Sequence, residues 1–521
     1  MNGTDPGGRS QASSQHSPFS ARRAGVADRQ RLIAESSLAK HRLTPARELL
    51  YSRLGYNMQV QTGSGIYYAF IAAVFFLYWL SAGSRLLRLA VILFANYLFC
   101  ARYGLFYVLL LPACSTLDFL VGLGLMRFQS APVRRLLVGL SLCLNLALLV
   151  GSRHMDLLLN RYGTPSPGWD WVFPLGLSFY VFQSLTYTID LYRRDGDGTS
   201  SLLGYLSAVS FFPTIQAGPI TRVTELVKQF TKPPSLSRVD GGRAFFLIGM
   251  GLLKKALVAD YLAENLVNRV FDTPKLYSGA EVLIAVYAYS LQLYYDFSGY
   301  TDIARGTALL LGIKLPINFD RPYLSANLTE FWRRWHISFS NWLRDYLFFS
   351  LPGGRTKIMP YINLVITMVL GGLWHGIAWT FAIWGLLHGM ALAMTRAWWT
   401  WHGKPKQPVN PWRHAAAVFC TYQFVCLTWV FFRAASLADA LALLGRIGSV
   451  SIGLENVTAL LALVLLLAAA AMFVKRAWYT RAMESFAASP FYVHAAAMLL
   501  VAVAIQRLGG HNSAPFVYSR F

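Results

Sequence analysis

Charge is what this sequence is short of. Only 14% of its 521 residues are Asp, Glu, Lys or Arg, against about 25% in soluble domains. So few charges cannot cover a water-exposed fold of this length, which excludes an ordinary soluble globular protein. Hydrophobic residues make up 55% of the chain and aromatics 15%, and lipid is the solvent that tolerates such a surface. Cysteine is scarce too. Cys100, Cys114, Cys143, Cys420 and Cys426 all lie in or beside apolar runs and none has CxxC spacing, so neither a zinc site nor a redox pair is indicated. Histidines at HExxH or HxH spacing are missing, as are a Walker A loop, a GxGxxG before a helix and a GxSxG elbow. These absences argue against a metal site, nucleotide-loop chemistry and a serine-hydrolase route.

Acidic residues number 24 against 47 basic ones, a net charge of +23. In a soluble protein that excess would suggest nucleic acid. Here the basic residues sit mostly between apolar runs, as at Arg134-Arg135, Arg193-Arg194, Lys404 with Lys406, and Lys475-Arg476. That pattern belongs to retained cytoplasmic loops and anionic lipid headgroups. Membrane lipids are therefore expected partners and nucleic acid is not.

Residues 1–62 differ from the rest. They are rich in Ser, Gly and Arg, with nine basic and four acidic side chains, and read as a disordered basic tail. No apolar core of a signal peptide is present in them, and Met58 offers an internal start. From Gly65 the chain becomes a series of apolar runs, each roughly long enough for a ~30 Å hydrocarbon layer. The runs predict about 10–13 membrane helices, an all-α polytopic integral membrane protein over 63–521. Asp118, Asp190, Asp296, Asp302, Lys254, Lys255, His375 and His388 lie in or beside these runs. Charge at membrane depth faces protein or water, so a polar cavity within the bundle is expected.

The stretch 327–346 has a different pattern. Leu328, Phe331, Trp332, Trp335, Phe339, Trp342, Leu343 and Tyr346 recur at helical spacing and fall on one face. Arg333, Arg334, Asn341 and Arg344 fall on the other. Asn327 followed by Glu330 reads as an N-cap with a capping-box partner. One interfacial amphipathic helix is predicted, with His336 at the edge of its apolar face.

Two histidines carry the chemical interest. His375 stands in Leu370-Gly-Gly-Leu-Trp-His-Gly376 between two apolar runs, among Gly371, Gly372 and Gly376, which permit close approach of backbone or ligand. A neutral imidazole there can act as a base near neutral pH; the alternative is a structural histidine bonded to a neighbouring helix. The same two readings apply to His336, and the structural one is favoured for His388. Without a hydrolase elbow or a metal, direct acyl transfer remains. A base takes the proton of an acceptor hydroxyl, which attacks a thioester, and a Trp or Asn side chain or a backbone N–H meets the oxyanion.

At these residues the sequence resembles the membrane-bound O-acyltransferase family, nearest the bacterial alginate O-acetylase and peptidoglycan O-acetyltransferase branch, with the teichoic acid D-alanylation protein as a relative. The resemblance runs in order through Asn96-Tyr-Leu-Phe99, Pro174-Leu-Gly-Leu-Ser-Phe-Tyr-Val-Phe-Gln183, Phe212-Pro-Thr-Ile-Gln-Ala-Gly-Pro-Ile220, Gln292-Leu-Tyr-Tyr-Asp-Phe-Ser-Gly-Tyr300 and Asn318-Phe-Asp-Arg-Pro-Tyr323. It continues through Glu330-Phe-Trp-Arg-Arg-Trp-His-Ile-Ser338, Trp342-Leu-Arg-Asp-Tyr346, Leu370–Gly376, Val430-Phe-Phe-Arg-Ala434 and Pro515–Phe521.

The resemblance implies a ring of helices around a central tunnel in the bacterial inner membrane. It makes His375 the catalytic base and sets His336 near the cytoplasmic entry. Acetyl-CoA or an acyl carrier would donate from the cytoplasm, and no cofactor would stay bound. An extracytoplasmic esterase-like acetyltransferase or a polysaccharide synthase complex would be the partner, delivering acetyl to alginate, peptidoglycan or another exopolysaccharide. Arg333, Arg334 and Arg344 are candidates for the coenzyme phosphates, with lipid headgroups the alternative. Asp296, Asn318, Tyr323 and Trp374 are candidates for shaping the tunnel.

The chain departs from the family pattern in three places. Ile377 is bulky where a small residue is usual, Phe349–Arg355 reorders a Pro-Leu-Gly-Gly-Asn-Arg loop, and Gly151-Ser-Arg-His154 stands for a Lys-Tyr. D-alanyl transfer to a cell-wall polymer, and a glycan transporter or export subunit without acyl chemistry, are the competing functions. A transporter would need intramembrane charges and broken helices, but inverted internal symmetry is not visible.

Overall fold

The computed structural model describes residues 65–101, 105–162, 176–215, 217–353, 356–404 and 410–508; the tail expected over 1–62 lies outside them. Helices account for the ordered elements, and no strand occurs among the described residues. The first group is α1 (Gly65–Leu80), α2 (Arg85–Ala101), α3 (Leu105–Arg127), α4 (Ala131–Tyr162), α5 (Leu177–Arg193), α6 (Leu202–Val209) and α7 (Val223–Thr231). Next come α8 (Arg238–Leu253), extended by π turns to Val267, and α9 (Gly279–Leu310). A capping box starts α9: Glu281 N–H donates to Ser278 Oγ at 3.1 Å and Ser278 N–H to Glu281 Oε2 at 2.9 Å. This satisfies two otherwise orphaned donors.

The region expected to be one interfacial helix is two. Helix α10 (Leu328–Arg334) and α11 (Ile337–Trp342) meet at a break in which His336 takes φ 41° and ψ 56°, the left-handed region that side chains avoid. The cause is a competing backbone pairing. Asp320 N–H donates to Arg334 O and Ile337 N–H to Asn318 O, both at 2.9 Å, which draws those groups out of a continuous helix. Phe331, Trp335 and Phe339 are buried within the protein, so this apolar face packs on other helices rather than on the membrane surface. Asn327 Oδ1 does accept from Glu330 N–H at 2.9 Å, but the Glu330 carboxylate returns to Ala326 N–H, one residue earlier than a capping box requires.

The remaining elements are α12 (Met359–His375), α13 (Trp379–His402), α14 (Pro411–Arg433), α15 (Leu437–Gly448), α16 (Ala459–Ala471), α17 (Arg476–Ala488) and α18 (Phe491–Leu508). Among the described residues, α14, α18 and the segments Tyr107–Arg127 and Ala131–Gly151 are long and apolar enough to cross a membrane. The pair α16 and α17, bent by 96°, makes a fifth if it is one broken span. Fewer helices thus meet both criteria than the 10–13 expected. Some runs fold as shorter helices, such as α6, and others carry many polar groups, as α9 does with Gln292, Asp296 and Asp302. Leu499 and Leu500 on α18 are two-thirds exposed, a surface suited to lipid rather than water.

The polar interior is assembled from local pairs. Asp118 accepts from Ser141 Oγ at 2.6 Å, Ser184 Oγ at 2.6 Å and Asn145 Nδ2 at 2.8 Å, tying α3, α4 and α5 together. Lys254 pairs with Asp302 at 2.6 Å, and Lys255 with Asp260 at 2.7 Å and Asp296 at 2.9 Å, tying the π turns after α8 to α9. Partners of this kind are what buried charge requires.

Candidate active site

His375 ends α12, at the turn into α13. The two helices pack with no room for side chains between them. A Cβ on Gly372 would stand 2.3 Å from Phe381 O, and one on Gly385 2.4 Å from Met368 O. Gly372 thus serves backbone contact, the first of the two uses read from the sequence, while Gly371 and Gly376 make room for the Leu343 and Phe381 side chains. The His375 imidazole, buried to 4% exposure, lies among Trp374 (4.7 Å between centroids), Phe432 (4.9 Å), Trp384 (5.5 Å) and Phe339 (5.9 Å). Ile377, just beyond, is 62% exposed.

His336 reaches the same aromatic shell from the α10–α11 break. Its ring stacks on Phe339 at 4.9 Å and meets Phe297 edge-on at 4.6 Å. Nδ1 lies 3.2 Å from Asn318 Oδ1, and the buried Nε2 has no protein partner among the described residues. Trp374 stacks on Phe339 at 4.8 Å, and its buried Nε1 likewise lacks a protein acceptor. Phe339, which was not singled out in the sequence, is therefore the ring common to His336, Trp374 and His375. Its position three residues after His336 in an apolar period was the available signal.

His388 differs. Trp332 Nε1 donates to its Nδ1 at 3.3 Å, and Nε2 lies 2.9 Å from Thr428 Oγ1, whose hydroxyl donates to Val425 O. Both ring nitrogens are engaged by protein, as a packing histidine requires. Tyr323 donates its hydroxyl to Ser290 O at 2.7 Å and packs near Trp335. Asp296 sits in the Lys255 pair.

A cleft of about 490 Å³ opens beside the His336 turn. Ile337, Ser338 and Trp342 line its base, and Arg222, Lys314, Gln229, Glu225 and Asp345 give it polar walls. Ser338 connects the cleft to the turn: its Oγ donates to Asn318 Oδ1 at 2.9 Å and accepts from Ile220 N–H at 3.0 Å. Arg222, 43% exposed, stands 3.7 Å from both Asp190 and Asp345. Tyr346 donates to Asp190 at 2.7 Å.

The three arginines chosen from the sequence are not among the lining residues. Arg334 pairs with Glu330 at 2.5 Å, Arg344 with Asp345 at 2.7 Å, and Arg333 is exposed. Arg222 and Lys314, which do line the cleft, were missed. Both adjoin strings already noted, two residues after Ile220 and four before Asn318.

The fold and site define a helical membrane protein in which two buried histidines share one aromatic ring beside a polar cleft. Residues 170–437 match MBOAT, the membrane-bound O-acyltransferase family. The probable alginate O-acetylase AlgI of Pseudomonas putida is 35% identical over 486 residues, covering 85% of this chain and 96% of that protein. The peptidoglycan O-acetyltransferase of Helicobacter pylori is 34% identical over 386 residues, 68% of this chain and 72% of that one. The teichoic acid D-alanyltransferase of Bacillus subtilis is 32% identical over 281 residues, half of this chain and 68% of its own. The chain belongs to the membrane-bound O-acyltransferase family and is a multi-pass membrane enzyme that transfers acyl groups to hydroxyls.

Proposed function

We propose that this enzyme, in a bacterial inner membrane, takes acetyl from cytoplasmic acetyl-CoA and sends it toward hydroxyls of an extracytoplasmic polysaccharide such as alginate or peptidoglycan. The observation that carries the reading is the joint burial of His336 and His375 around Phe339, where the residue after His336 lines a cleft that holds Arg222 and Lys314. The cleft admits the donor, and Arg222 and Lys314 meet its phosphates by charge-assisted hydrogen bonds. Arg333, an exposed sequence candidate, assists or contacts lipid.

His375 acts as general base. Its unprotonated nitrogen takes the acceptor hydroxyl proton as that oxygen bonds to the thioester carbonyl carbon. The carbon–sulfur bond then breaks, and the imidazolium returns its proton to the departing thiolate. Trp374 Nε1 is a donor suited to the oxyanion. An extracytoplasmic transferase or polymer synthase receives the acetyl group.

The test is acyl transfer by purified protein in liposomes, supplied with labelled acetyl-CoA or a D-alanyl carrier thioester and followed by mass spectrometry of the polymer. Acetyl transfer that His375→Ala abolishes supports the proposal. Transfer of D-alanyl alone replaces the donor, and movement of glycan without any acyl release refutes the chemistry.

A further inference from the structure

We infer that Asn318 is a positioning residue that fixes the tautomer of His336, leaving Nε2 as the hydrogen-bond acceptor in the aromatic shell. This rests on the proposal that His336 takes part in acyl transfer.

The backbone N–H of Ser338 can only donate, and it points at an Asn318 side-chain atom 3.0 Å away. That atom is therefore the carbonyl oxygen of the amide, not its nitrogen. The Ser338 hydroxyl, 2.9 Å from the same oxygen, already accepts from Ile220 N–H and is free to donate its proton there. An amide oxygen has no proton to give. The His336 nitrogen 3.2 Å from it must then be the protonated one, Nδ1–H. A neutral imidazole carries one proton, so Nε2 is bare.

Asn318 also holds the backbone that aims this ring. Its carbonyl accepts Ile337 N–H at 2.9 Å, next to the left-handed conformation of His336. Strain of this kind persists where surrounding bonds over-determine it. One asparagine thus sets the turn through its main chain and the tautomer through its side chain. The His336 ring lies among Phe179, Phe297 and Phe339, and its buried Nε2 has no protein donor among the described residues. It is placed to accept from an N–H or O–H of a substrate.

The direct test is nitrogen NMR of the full-length protein in lipid nanodiscs with 15N-labelled histidine, His336 being assigned by its loss in His336→Gln. Protonation at Nδ1 with Nε2 bare is expected, and protonation at Nε2 overturns the inference. A second arm reads turnover. Asn318→Ala lowers kcat by about 10- to 100-fold, the scale for losing a group that orients a functional histidine, with the donor KM changed less than about twofold. Asn318→Asp keeps an accepting oxygen for both donors and recovers kcat. Native kcat in Asn318→Ala, or no recovery in a folded Asn318→Asp, overturns the inference. If His336→Gln turns over at the native rate, the reading of His336 as functional fails, and the NMR result stands apart from it.

Discussion

Trp332 donates its indole proton to His388 at 3.3 Å, closing one ring nitrogen while Thr428 closes the other. His388 is built into packing, and its loss acts on stability. His388→Ala strands the Trp332 donor in a buried site, at about 1–3 kcal/mol, while the Thr428 hydroxyl keeps its bond to Val425 O. The detergent-solubilised variant unfolds at lower temperature than the native enzyme, while turnover per folded molecule stays close to native. Loss of turnover with an unchanged unfolding temperature would move His388 into the chemistry.

His375→Ala has the opposite signature. The residue ends α12 on a backbone already set by the packing of Gly372 and Gly385, so truncation leaves the helix pair standing. Removing a general base lowers acyl transfer by about 10²- to 10⁴-fold. Membrane insertion and the gel-filtration profile remain native. Acyl-transfer assays on the purified variant check both halves of this expectation.

The α12–α13 contact is the tightest constraint near the site. Gly385→Leu forces a branched side chain against the Met368 carbonyl, where even a Cβ stands 2.4 Å away, and the helices must separate. Folded yield falls sharply and activity falls with it. Gly139→Leu, at a position where nothing lies within 4 Å of a built Cβ, leaves yield unchanged. Equal yields for the two variants would refute the packing account.

Arg134 and Arg135 look alike in the sequence and do different work. Arg134 is buried and donates to Leu191 O at 2.8 Å, Tyr192 O at 2.9 Å and Phe128 O at 3.3 Å, and also to Leu125 O. It collects the last carbonyls of α3 and α5, groups that no helix can satisfy internally. Arg135 is exposed. Arg134→Met therefore lowers the unfolding temperature by several degrees, and Arg135→Met does not. A thermal shift assay on the pair separates a clamp from a topology signal.

The sequence reveals what depends on side-chain identity near one position. His336 and His375 stand out because ionisable residues in apolar surroundings are few, and Asn327 with Glu330 marks the start of α10. The break between α10 and α11 is hidden, since the helical spacing of apolar residues continues through Trp335 and His336 while the backbone turns. Its cause lies in the pairing of residues 318–320 with 334–337, a relation no local period carries. For the same reason the cleft residues Arg222 and Lys314 are read as ordinary basic residues until chain segments 118 positions apart meet at Ile220 and Ser338. Arg134, likewise, reads as a loop charge until α5 supplies its carbonyls.

Arg222 gives the sharpest test of where the acyl donor sits. Its guanidinium is held at 3.7 Å by Asp190 and Asp345, beyond hydrogen-bond reach of either, and Tyr346 already occupies an Asp190 oxygen. A charge so loosely held can turn to an incoming phosphate without breaking a strong bond. Removing a charged hydrogen-bond partner loses about 1.5–3 kcal/mol when it is buried. Arg222 is partly exposed, and screening places the effect near the lower end, roughly tenfold. Arg222→Ala therefore raises the KM for acetyl-CoA about tenfold with kcat nearly unchanged, and the difference from native shrinks as salt is raised. Arg333→Ala, at an exposed position outside this cleft's lining, changes KM little. Initial-rate measurements of both variants at two ionic strengths decide the matter, and an unchanged KM in Arg222→Ala would move the donor elsewhere.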